Sequence, residues 1–237
     1  MSSLPLRLAV AVVGGEADGT LAAALSAAGL VVDAGAAVVV VGGPVAARAT
    51  LARAAVAGGL DAFVAWPPGS AAEAQALLAL ADEAGVEVGV ERPLAADLPL
   101  GPVRLASVSV VFDGAPEAWP RRLAGALDVA ARLAGTPGAA RLDAEAERDG
   151  AALRAVAVTV RFRNGAFAHV LVRAVAGGSG LAVYAAGVET ASPLDEALGA
   201  EAAAFARAVR DGYRAPYGLH DALATMRLTE RVMAALR

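Results

Sequence analysis

The residues able to do chemistry in this chain are few. It contains no lysine and no cysteine; all 20 basic residues are arginine, and the only histidines are His169 and His220. Disulfides, thiolate nucleophiles and cysteine metal sites are thereby excluded, and with two histidines no metal site is expected. No step that needs a lysine amine can occur, and an arginine guanidinium does not release a proton near neutral pH. What remains is carboxylates, aromatic rings and glycine turns at a handful of places. Gly14, Gly15 and Gly19 lie between an apolar run, Leu6–Val13, and a stretch of helix formers, Thr20–Ala28. That is the setting of a phosphate-binding glycine turn. Trp66 ends another apolar run just before Pro67-Pro68, Glu91 and Arg92 end the next, and Arg121 and Asp128 share a helix-like stretch.

The elements that must position these residues alternate in type. Leu6–Val13, Ala37–Val41, Ala62–Ala65 and Val86–Val90 are short apolar runs of buried-strand character. Between them Val45–Val56 and Ala71–Ala84 are rich in strong helix formers, with Gly85 where a helix C-cap belongs. Strands and helices alternating in this way are of the kind that build a parallel sheet. Its glycine turn departs from the dinucleotide fingerprint, because Glu16 stands where the middle glycine must let the backbone approach a pyrophosphate. Asp33 has the spacing of an acidic ribose ligand. Yet between Gly29 and Ala37 there is no room for the dozen-residue crossover that parallel neighbours need, so Asp33 is expected in a loop at a strand entrance.

The character changes across the proline-rich stretch 96–102, and a boundary near Leu98–Gly101 divides the chain into residues 1–100 and 101–237. Beyond it, Val103–Phe112 reads as a strand and Trp119–Ala134 as a helix with Leu123, Leu127 and Ala130/Ala131 on one face. Asn164-Gly165 between two alternating runs predicts a two-residue hairpin. In that register Val156, Val158, Val160 and Phe162 share a face with Phe167, His169, Leu171 and Arg173, and His169 lies opposite Val160. Leu181–Tyr184 extends the same antiparallel sheet. With hydrophobic residues at 57% and aromatics at 4%, the cores must be built from Ala, Val and Leu.

The unit formed by Ala62–Ala65, Trp66-Pro67-Pro68, the helix Ala71–Ala84, Gly85 and Val86–Val90 resembles a specific place in the Gfo/Idh/MocA family of nicotinamide-dependent sugar oxidoreductases. There a strand ends in Glu-Lys-Pro and the lysine is catalytic; here the matching residues are Ala65-Trp66-Pro67. Glu91-Arg92-Pro93 looks superficially like the same motif but runs into the proline-rich stretch where the family has a helix. Gly42-Gly43-Pro44 and Ala47 replace the family's Thr-Pro-Pro and a following histidine. On the helix Trp119–Ala134 the resemblance places Arg121 at a catalytic aspartate and Gly125 at a proton-exchanging histidine, while Asp128 fits a third acidic position. The end of the chain, Phe205 with Ala208-Val209-Arg210-Asp211-Gly212, Pro216 and Asp221, resembles the family's closing pair of helices, with Asp221 or His220 as a helix cap. The resemblance runs from Leu6 to Leu236, with one unit shortened to Leu30–Gly35.

The resemblance implies an α/β fold: a trimmed Rossmann-like domain, then an α+β domain with an open, mainly antiparallel sheet. It also implies a homodimer through that sheet, since family members pair sheet to sheet. The chemistry is depleted: glycine fingerprint, lysine, aspartate and histidine are all replaced. The first expectation is a homologue without catalytic residues, with a remnant loop at Gly14, Gly15 and Gly19 and no cofactor, acting as a binding or partner subunit to a second copy or to an intact family member. Two alternatives stay open. One is an NAD- or NADP-dependent sugar-type oxidoreductase; the other is altered, non-redox chemistry in a cleft lined by Trp66, Glu91, Arg92, Arg121 and Asp128. The net charge of −4 gives no reason to expect nucleic acid. No apolar run reaches membrane-spanning length, and Met1-Ser-Ser-Leu-Pro lacks the basic and apolar regions of a signal peptide, so a cytoplasmic protein is expected.

Overall fold

Short apolar runs build the first sheet, and those at Val38–Val41, Ala62–Val64 and Val88–Val90 are buried on both faces. A computed structural model describes residues 8–13, 30–32, 36–94, 102–113, 115–136, 138–192 and 198–237. Its first elements are β1 (Leu8–Val13), β2 (Leu30–Val32), β3 (Val38–Val41), α1 (Val45–Ala57), β4 (Asp61–Val64), α2 (Ala71–Ala84) and β5 (Val88–Val90). The five strands are parallel, in the order β2-β1-β3-β4-β5. Helix α2 starts where the sequence says it should. Ser70 accepts the Glu73 N–H and Glu73 reaches back to the Ser70 N–H, a capping box, and Gly85 ends the helix at φ +68°.

One expectation about this sheet needs correction. The stretch Leu30–Gly35, to which one βα unit was expected to be reduced, still supplies a strand: Leu30–Val32 pairs on the outer side of β1. The crossover argument fails because the two neighbours of β1 are staggered. Val32 lies beside Val10, and β3 begins beside the same Val10. The chain therefore needs only to step sideways by two strand spacings, about 10 Å. Residues 33–37 can span about 17 Å. Asp33 itself lies outside the described residues, as do Gly14, Gly15, Glu16 and Gly19.

The second sheet comprises β6 (Leu105–Phe112), β7 (Ala139–Asp149), β8 (Ala152–Phe162), β9 (Phe167–Ala174), β10 (Gly180–Ala185) and β11 (Val188–Ser192), with α3 (Trp119–Ala134) between β6 and β7. The strand order is β11-β10-β6-β9-β8-β7, antiparallel except for the parallel pair β6–β9. One face is closed: Val108, Val110, Val156, Val158, Val160, Val170 and Val172 are buried with Leu123 and Leu127 of α3. The alternation along β7 (Leu142, Ala144 and Ala146 inward; Asp143, Glu145 and Glu147 outward) was not anticipated from the sequence. Its inward residues are apolar and its outward ones charged, as suits an edge strand.

The hairpin register also differs from expectation. The turn has three residues, Arg163-Asn164-Gly165: the Phe162 N–H donates to the Ala166 carbonyl (2.8 Å) and the Gly165 N–H to the Phe162 carbonyl (3.0 Å). A two-residue type I′ turn needs positive φ at both central residues, and here Gly165 has it (φ +84°) while Asn164 does not. Asn164 instead spends its amide on the Ala134 carbonyl at the end of α3, 2.7 Å away. The resulting one-residue slip sends side chains to opposite faces. Phe167, His169, Leu171 and Arg173 stand on the open face, and His169 is exposed opposite Thr159, not Val160.

Two helices close the chain, α4 (Leu198–Arg210) and α5 (Leu219–Ala235). The compact units are Met1–Arg92 with Ala197–Leu223, and Pro93–Glu196 with Ala224–Arg237, which differs from the linear division 1–100 and 101–237. Helix α4 covers one face of the parallel sheet, where Phe205 meets Phe63 with ring centroids 5.7 Å apart. The carboxylate of Asp221 accepts the Gly218 N–H (3.2 Å) at the start of α5. The carboxy-terminal part of α5 adds Leu228 and Val232 to the core of the second unit.

Candidate functional site

In open parallel sheets ligands bind outside the carboxyl ends of the strands, where loops expose main-chain groups. In this sheet those ends carry Gly42–Pro44 after β3, Ala65–Gly69 after β4 and Glu91–Arg92 after β5. The three turns are tied together. The Glu91 carboxylate, 4% exposed, accepts the Trp66 N–H at 3.0 Å. From the first turn of α1, the Arg48 guanidinium donates to the carbonyls of Gly43 (2.9 Å), Trp66 and Pro67. The Trp66–Pro67 bond is cis. Nothing in the sequence pattern marked Arg48, because a half-buried arginine early in a helix has no local signature.

Trp66 is core: the residue is 4% exposed. Arg92 leaves the same edge in another direction. Its N–H donates to Glu201 (2.8 Å), and its guanidinium lies over the Tyr217 ring, 5.9 Å from the centroid. The Tyr217 carbonyl in turn accepts the Val90 N–H (2.9 Å), so residues 217–218 cover the outer edge of β5. Of the five residues expected to line a cleft, the structure thus joins Trp66 to Glu91, with Arg92 next along the chain.

Arg121 and Asp128 belong to the second unit. Arg121 is half-buried in the first turn of α3. Asp128 is buried, and its carboxylate accepts from Arg132 Nε (3.0 Å) one turn on and from the Thr225 hydroxyl (3.1 Å) of α5. The Thr225 bond ties α3 to α5, a structural role that the sequence reading did not assign. Gly125, on the same helix, is buried against the chain: a Cβ there would lie 2.5 Å from Leu94 Cβ and 3.3 Å from the Leu94 nitrogen. Elsewhere in the first unit, the backbone N–H of Ser70, and then its hydroxyl, hold the Glu73 carboxyl below the usual carboxylate range. That shift belongs to the helix cap, not to the strand ends.

Solved structures share this fold over nearly the whole of the chain. A probable dehydrogenase from Thermotoga maritima matches with a TM-score of 0.82 and 12% identity, covering 97% of each chain. UDP-N-acetylglucosamine 3-dehydrogenase GnnA from Acidithiobacillus ferrooxidans matches with a TM-score of 0.77 and 15% identity over 98% of each chain. GenD2 from gentamicin A biosynthesis, solved in complex with NAD, matches with a TM-score of 0.73 and 21% identity over 97% of this chain and 94% of its own. The fold is that of the Gfo/Idh/MocA-type dehydrogenases. No protein-family model matches the sequence, and no curated protein does. Among the described residues, no helix is long and apolar enough to cross a membrane.

Proposed function

We propose that this chain is a Gfo/Idh/MocA-type homologue that has given up hydride transfer and nicotinamide binding, and that it acts as a non-catalytic binding or partner subunit. The observation that carries this reading is the closure of Gly125 against Leu94. A proton-exchanging histidine cannot be restored there without moving main chain, since the Leu94 nitrogen and the Pro93 carbonyl carbon also lie at 3.3 Å. Trp66 adds to it, because an indole has one donor and no proton to exchange near neutral pH. Glu16, where the fingerprint requires a glycine, adds a carboxylate beside the expected pyrophosphate position.

The partner in this reading is a second copy, docked through the open face of the mixed sheet. Leu105, Phe167 and Tyr184 are exposed on that face, at 67%, 43% and 54%. Exposed apolar side chains gathered on one face favour a covering surface.

Calorimetric titration of the whole chain with NADH and with NADPH tests the reading. No binding in the micromolar range is expected with either. Micromolar affinity, accompanied by reduction or oxidation of a sugar substrate, would establish the alternative of an NAD(P)-dependent oxidoreductase.

A further inference from the structure

We draw no further inference here: the strongest candidate, the shallow hollow on the open face of the mixed sheet lined by Ser109, Val111, Gly180, Ala182 and Ala191, belongs to the face already proposed to dock a second copy and adds nothing to that reading.

Discussion

At an open helical position, replacing glycine with alanine stabilises a protein by about 1 kcal/mol, because glycine loses more backbone freedom on folding. Gly125→Ala is expected to do the reverse. Its Cβ would stand 2.5 Å from Leu94 Cβ. Carbon atoms in contact prefer about 3.5–4.0 Å, so the two segments must part by about 1 Å. No rotamer change relieves this, since the opposing atoms are a Cβ and main chain. Overpacking of that kind costs about 2–3 kcal/mol, and subtracting the helix-propensity gain leaves a net loss of about 1–2 kcal/mol. Urea unfolding monitored by circular dichroism reads the difference directly. In a Leu94→Gly background the opposing Cβ is gone, and the same substitution should turn neutral or stabilising. If that background is too unstable to measure, the sign of the single variant decides. A stabilisation of about 1 kcal/mol by Gly125→Ala alone would mean that the position is open. The argument against a histidine there would then collapse.

Other outcomes follow from the same geometry. Trp66→Ala should lower stability by about 3–5 kcal/mol in denaturant melts, as for any large buried aromatic, and a loss under 1 kcal/mol would show that Trp66 is not core. Trp66→Lys should gain no NAD-dependent turnover in a spectrophotometric assay, since Gly125 and Arg121 still lack the proton-transfer groups; measurable activity would refute the proposed loss of function. Phe167→Glu and Leu171→Asp, both on the open face, should give monomers in light scattering if that face pairs two copies, and an unchanged mass would place the interface elsewhere. Val158→Arg is no test of pairing, because Val158 is fully buried on the closed face and its replacement attacks the core. For Glu73 the folded-state pKa is depressed, so its contribution is full above the ordinary carboxylate range and lost as pH falls through the lowered value. The stability gap between wild type and Glu73→Gln should therefore close in acid, and a gap independent of pH would show that the capping charge contributes nothing.

The secondary structure around the candidate site was largely legible in the sequence, because local chemistry determines it. Helix α2 begins at Ser70 and ends at Gly85 through groups within a few residues of each other, and α3 spans Trp119–Ala134 as its amphipathic pattern predicts. The proposed replacement of the family's lysine by Trp66 and of its histidine by Gly125 rests on the order of residues alone. Tertiary contacts decided the rest. Whether Phe167 and His169 face the core or solvent followed from a turn of three residues where two were expected, and from the burial of Ala168, Val170 and Val172 in the core. Because side chains alternate along a strand, that one-residue difference reversed the whole face of β9. The place of Leu30–Val32 beside β1 depended on a stagger between two pairings that no local pattern encodes. The meaning of Gly125 emerged only with Leu94 packed against it. A glycine in a sequence reads as permissive, and here the folded chain leaves space for no other residue.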